Sequence, residues 1–431
     1  MSEVHTAPPV HSLMFAWLAD PERGSEWAAA WGMAVAAARL GPVRLLVRPD
    51  CEAPIRSWCA RHPEVPIEPL AVAPAERWYP RFAPALPKGH FLDYFAWLEA
   101  AGAVARRLVA RERFDLAVHA ALGCYWLPSP VVDLGIPSVW GPVGGATRPP
   151  RALLSALGAR GLVERACERA ILAVAARLPA TRRTMRRADL VLVEGRATRA
   201  ALPADVAARA RMFNRAVLVR VPRVPERPRG RTVLFPSTLD GRKAPRLALE
   251  AFRFAPEDAI LLFANEGPEE AFLRRRAEAL GLGGRVRFLG RVPRMRCFEL
   301  VREAGAVIFT GLNEDGGCAL CEAMVLGAPV VVLAHSGPRE IVETWGTDPA
   351  RVALVPPAGP RATAERLGEA LRRFLERPPR AASPYLDQDG AIRSFTELLA
   401  QAARGRAAAD PARAPARSEP APETLAPSLR V

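Results

Sequence analysis

The feature that most constrains this chain is a rhythm. Short apolar runs alternate with longer amphipathic stretches, stop at a Pro/Arg-rich break, and then begin again. Residues 11–17 are apolar and lead into Ala19-Asp20-Pro21-Glu22-Arg23-Gly24-Ser25-Glu26. The Ala-rich stretch 27–40, closed by Gly41-Pro42, predicts a helix, and 43–47 predicts a second buried strand. Strand, Gly-containing loop, helix and strand in that order open a doubly wound sheet. The same reading predicts a helix over 91–113 and a strand over 114–119 that ends at His119. A further strand over 136–140 leads into the loop Gly141-Pro142-Val143-Gly144-Gly145. A basic helical region over 151–187 and a last clear strand over 189–193 complete the first unit.

The break is VPRVPERPRGR, residues 221–231. After it come strands over 232–235, 260–264, 286–289, 307–310 and 330–333, with helices over 245–254, 269–280, 294–303 and 318–326 between them. Such close alternation argues for a parallel sheet covered on both faces. The expected fold class is α/β, two Rossmann-like doubly wound domains facing a cleft. Residues 1–220 form the first domain and 232–380 the second. A helical segment at 381–405 and a tail from 406 rich in Ala, Pro, Arg and Glu, expected to be disordered, follow. With 431 residues, half of them hydrophobic, there is material for two large cores. No run reaches the length of a transmembrane helix, the first residues lack the pattern of a secretory signal, and seven scattered cysteines suit a reducing compartment. These points lead to an expected cytoplasmic protein, with peripheral contact at the inner face of the membrane as an extension.

The densest chemistry lies in Asn313-Glu314-Asp315-Gly316-Gly317-Cys318-Ala319-Leu320-Cys321-Glu322, followed by Gly327-Ala328-Pro329. A strand ends just before this string and a helix begins near Cys318. The free N–H groups of Gly316, Gly317, Cys318 and Ala319 therefore suit an anion, and glycine lets a phosphate approach the backbone. Glu314 on the loop and Glu322 about one turn into the helix are placed to hold two pairs of vicinal hydroxyls. Gly24 and Ser25, between the first strand and helix, form a second phosphate-facing loop. Cys318-x-x-Cys321 has no partner pair at metal-ligand spacing, and two small residues on a buried helix face account for it.

These residues carry a resemblance. The string is similar to the E-x7-E signature of the family 4 glycosyltransferases, which have the GT-B fold and retain anomeric configuration. Gly24-Ser25-Glu26 with Trp31-Gly32, and Trp140-Gly141-Pro142-Val143-Gly144-Gly145, resemble two motifs of one bacterial branch. Asn265–Pro268, residues 285–292 and Gly337-Pro338-Arg339-Glu340-Ile341-Val342 match later blocks, so the likeness runs from about residue 12 to 375. It implies a hexosyltransferase whose co-substrate is a UDP- or GDP-linked sugar, with a glycan or lipid-linked acceptor and no cofactor or metal. Glu322 would hold the ribose, Glu314 the transferred sugar, Lys243 the diphosphate, and the backbone at Arg291 the base. His119 would be directed at the donor sugar. The family places an arginine five residues before that lysine, where this chain has Thr238; Arg242 is the candidate to supply the charge. Glu26 and Gly144-Gly145 are placed to shape the acceptor side.

Charge adds a separate constraint. The chain carries 60 Lys and Arg, only two of them lysines (Lys88 and Lys243), and 45 acids. Residues 146–235 hold 20 arginines against six acids, a net +14 of the chain's +15. A solvated basic face is the default reading. An anionic bilayer is the next partner, with Arg183, Arg186 and Arg187 suited to it. Nucleic acid comes last, because no binding motif accompanies the charge. Two rival functions follow: a non-catalytic GT-B protein that binds nucleotide, and a basic membrane- or nucleic-acid-binding protein with a vestigial cleft.

Overall fold

The computed structural model describes residues 8–74, 90–379 and 383–407. In the first domain seven strands run parallel in the order β3-β2-β1-β4-β5-β6-β7. They are β1 (Ser12–Ala16), β2 (Val43–Val47), β3 (Ile67–Ala71), β4 (Leu116–Ala121), β5 (Ser138–Val143), β6 (Leu190–Val193) and β7 (Arg211–Met212). The helices are α1 (Glu26–Ala37), α2 (Pro49–Ala60), α3 (His90–Val109), α4 (Gly158–Ala175), α5 (Pro179–Arg187), α6 (Arg196–Ala201) and α7 (Ala204–Arg209). The second sheet has the order β10-β9-β8-β11-β12-β13. It is built from β8 (Thr232–Phe235), β9 (Ile260–Phe263), β10 (Val286–Phe288), β11 (Ala306–Phe309), β12 (Val330–Leu333) and β13 (Val352–Val355). Around it lie α8 (Pro245–Phe252), α9 (Glu270–Ala279), α10 (Arg294–Glu303), α11 (Cys318–Val325), α12 (Ser336–Trp345) and α13 (Pro360–Glu376). A final helix, α14 (Gln388–Ala407), closes the described chain.

Every residue of β1, β4, β5, β11 and β12 is buried, as central parallel strands covered on both faces must be. In each sheet the strand order reverses beside the first strand, between β1 and β4 and between β8 and β11. At such a switch point the loops leaving the C-terminal strand ends diverge and leave a crevice. The loops after β1, β8 and β11 carry Gly24-Ser25, Lys243 and Glu314.

The structure departs from the sequence expectation in instructive places. β4 continues past His119 to Ala121, and β5 takes in Gly141-Pro142-Val143, which the Gly-Pro pair had marked as loop. The basic region 151–187 is three pieces: a 3₁₀ turn (Arg151–Leu157), α4 and α5. Leu153 and Leu157 of that turn enter the second domain's core beside Leu247 and Phe252. The helical segment after 380 packs back on the first domain. Phe395 of α14 lies 5.2 Å, ring to ring, from Phe213, and Gln388 Nε2 donates to the Val219 carbonyl at 2.6 Å. The chain thus crosses between the domains twice. α14 runs to Ala407, and the remainder of the expected tail lies outside the described residues.

Candidate functional site

The second domain's half of the site rests on two loops stitched together. In the loop after β8, Asp240 accepts from the Thr238 hydroxyl at 2.9 Å and from the Arg242 amide at 2.8 Å, and pairs with the Arg242 guanidinium at 3.0 Å. The Arg242 carbonyl accepts from Leu312 N at 2.8 Å, and the Thr310 hydroxyl donates to the Lys243 carbonyl at 2.9 Å. These bonds bring the Lys243 ammonium onto the Glu314 carboxylate, an ion pair across the crevice. Burial and the neighbouring Arg242 lower the Lys243 pKa to about 8, while Asp240 pulls the other way. A desolvated ammonium of this kind gains most from an added anion.

Gly317 caps α11 with φ +129°, a conformation that favours glycine, and Gly316 beside it is open to approach. Cys318 and Ala319 form the first turn of α11 with no acid in it. One turn further on, Glu322 accepts from Arg294 Nη2 at 2.7 Å. Burial raises the Glu322 pKa and Arg294 lowers it. Arg294, at the start of α10, was not singled out by the sequence. Its guanidinium also lies against Gly24 of the first domain, where any side chain would collide with it. Arg291 is exposed in the turn before α10.

On the first domain, Ser25 takes φ +59° at the start of α1, and its carbonyl accepts from Cys318 Sγ at 3.5 Å across the crevice. The loop Gly24-Ser25 and the N-terminus of α11 are therefore brought together. His119, expected to face the donor sugar, is enclosed near the end of β4. Its ring is only 1% exposed, with Nε2 at 3.0 Å from the Leu122 carbonyl and 3.2 Å from the Tyr94 hydroxyl. Burial pushes its pKa down to about 4, so it is a neutral ring enclosed in the first domain.

Sequence reasoning also missed the network that joins the two halves. Asp315, next to Glu314, accepts from the hydroxyls of Thr147 at 2.7 Å and Thr198 at 3.4 Å, and its carbonyl accepts from Asn214 at 2.7 Å. All three donors belong to the first domain. Glu340 accepts from the Arg196 amide at 3.2 Å, and His335 Nε2 lies 2.8 Å from the Arg148 carbonyl. Behind them the buried Arg215 pairs with Glu26 at 2.7 Å and Glu194 at 2.9 Å. Gly144 sits against both Glu194 and Asp315, where a side chain would not fit. A string such as Glu-Asp-Gly-Gly advertises its helix start, but nothing in it says that the aspartate will reach another domain.

Comparison with known proteins follows the same division. Residues 222–384, the second domain with its linker, match the family "Glycosyl transferases group 1". D-inositol 3-phosphate glycosyltransferase of Xylanimonas cellulosilytica is 30% identical over 185 residues, 41% of this chain and 43% of that relative's length. Among solved structures, Anabaena HepE in complex with UDP and glucose superposes with TM-score 0.50 at 15% identity, covering 93% of this chain and 99% of its own. A variant of S. aureus TarM, in complex with fondaparinux, alpha-GlcNAc-glycerol and UDP, reaches 0.56 at 9% identity, covering 91% and 99%. The fold is GT-B: two Rossmann-like domains, of seven and six parallel strands.

Proposed function

We propose that the chain is a glycosyltransferase that moves a hexosyl unit from a nucleotide sugar to a glycan or lipid-linked acceptor, with retention of configuration. The observation that carries this reading is the self-occupied donor crevice, in which Lys243 pairs with Glu314 and Arg294 with Glu322. In this reading Glu314 and Glu322 are the acceptors for sugar and ribose hydroxyls, and Lys243 is the cation for the diphosphate oxygens. In this scheme the donor exchanges partners. Lys243 leaves Glu314 for the diphosphate, Glu314 accepts from hydroxyls of the transferred sugar, and Glu322 accepts from the ribose hydroxyls. As the bond from the anomeric carbon to the phosphate oxygen breaks, charge grows on the leaving diphosphate. Lys243 and the N–H groups from Gly316 to Ala319 stabilise it without reorganisation. The acceptor hydroxyl attacks from the same face, its oxygen bonds to the anomeric carbon, and its proton passes to the leaving phosphate. The scheme is metal-independent.

Support comes from the group 1 match over the second domain, the UDP held by the structural neighbours, and the placement of the candidate residues at both switch points. The test is thermal stabilisation by UDP, GDP, ADP and TDP, with Glu322→Ala beside the parent. Stabilisation by one nucleotide, lost in the variant, identifies the ribose carboxylate and the base. No shift with any nucleotide overturns the reading. One observation favours a second reading, a nucleotide-binding GT-B protein without turnover. Thr238 stands where the resemblance implies arginine, and Arg242 is turned to Asp240. Nucleotide binding without release of nucleoside diphosphate from any donor would favour it.

A further inference from the structure

Among the described residues, ten large hydrophobic side chains are exposed, and six of them fall between 154 and 178. Four follow the helical repeat of α4 and its end. Along α4, Val163, Ala166, Cys167, Ala170, Ile171 and Val174 are all exposed, at spacings of three and four residues. The most open are Val163 (64%), Ile171 (54%) and Val174 (65%). This is an amphipathic helix worn inside out. Its apolar stripe points to solvent, while the opposite face carries Gly161, packed close to Gly241 of the diphosphate loop, and Arg165, which pairs with Glu168. Leu178 continues the apolar strip past the end of the helix, and Pro179 and Ala180 are exposed with it.

The rim is basic. Arg169 and Arg177 are exposed around the stripe, with Arg182, Arg183, Arg186 and Arg187 exposed on α5. Two acids share this rim, Asp133 against Arg183 and Arg187 and Asp205 at 4.0 Å from Arg186, so the arginines still outnumber them; Glu168 pairs with Arg165, and Glu194 is buried against Arg215. An apolar strip bordered by arginines fits a surface that is apolar below and anionic at its edge, which is the boundary of an acidic bilayer. A second copy of the chain fits poorly, because a two-fold interface would lay this rim against itself, like charge to like charge.

We infer that α4 is a membrane-docking helix, seating its Val163–Ile171–Val174 stripe in the plane of an anionic bilayer with the arginines on the headgroups. The same helix touches the loop after β8 on its inner side, so docking holds that loop about one helix diameter, roughly 10 Å, from the membrane. The surface goes beyond the transfer reaction and does not rest on it: docking can succeed or fail whatever the fate of nucleotide binding.

The test is co-sedimentation of the full chain with vesicles of phosphatidylcholine alone and of phosphatidylcholine mixed with phosphatidylglycerol, read beside light scattering in solution. Binding is expected only to the phosphatidylglycerol mixture and should weaken as salt is raised. Val163→Asp with Ile171→Asp should reduce it at least tenfold, because two apolar anchors are lost to the interface. Arg182→Ala should reduce it by about fivefold. Both changes lie on exposed positions, and unchanged circular dichroism and melting temperature check that the fold is kept. Equal binding by parent and double variant, or no binding to either vesicle, overturns the inference. So does a parent dimer that the double variant splits into monomers, which would make the stripe a contact between copies.

Discussion

At the scale of single residues, Lys243 is the group on which the proposed chemistry leans most. Lys243→Ala should lower kcat roughly 10²–10³-fold, the usual consequence of removing one preorganised charge from a transition state. Lys243→Arg should recover little, since a planar fork cannot replace a compact ammonium between phosphate oxygens. Steady-state release of nucleoside diphosphate reads both. A lysine among so many arginines was visible in the sequence, as were Glu314, Glu322 and the glycines around them, because each belongs to a local strand–loop–helix pattern. Arg294, Asp315 and Arg215 were not visible, because their partners lie far along the chain and only the packed domains bring them together. The burial of His119 was hidden for the complementary reason: a strand end looks open until the residues around it are placed. Arg215 makes a further prediction. One guanidinium faces Glu26 and Glu194, and burial raises the Glu194 pKa to about 8. Unfolded, that carboxyl titrates near 4.5, so between the two values the folded state holds the extra proton. Its contribution to stability is complete below 4.5 and is lost as pH rises through about 8. Glu194→Gln, which mimics the protonated acid, should melt less pH-dependently than the parent across that window. Above about pH 8, where Glu194 as well as Glu26 is ionised, Arg215→Met leaves both carboxylates without their shared cation and should cost roughly 3–5 kcal/mol in urea unfolding.

At the scale of elements, α1 sets a conflict whose sign can be predicted. Gly32 lies within this helix, where replacing glycine by alanine ordinarily gains about 1 kcal/mol. Its α-carbon, however, faces the Leu218 carbonyl so closely that a methyl group would overlap the oxygen. Gly32→Ala should therefore destabilise, by about 1–3 kcal/mol of overpacking, and chemical denaturation decides between the two signs. Periodicity alone supplied α10 and most strands of the second sheet to within a residue, and α1 to within three, because parallel strands buried on both faces announce themselves as unbroken apolar runs. It divided the region 151–187 poorly. There the apolar positions of α4 turn outward, so the usual inference from apolar face to core points the wrong way.

For the whole molecule, the return of α14 binds the domains into one cooperative body. Phe395→Ala, removing a fully buried ring that meets Phe213, should cost about 3–5 kcal/mol. Because Phe213 also packs edge-on against Trp345 of α12, the loss should lower a single melting transition and not split off one domain; scanning calorimetry would show which occurs. The double crossing has a kinematic consequence as well. Two bodies tied by one strand can tumble about it in any sense, whereas two bodies tied at separate points swing like a gate on two pins. Opening is then confined to a rotation about the line through the pins. Probes placed across the mouth, for example near Arg148 and His335, should separate as the molecule opens. Probes across the back, near Phe213 and Trp345, should keep their spacing.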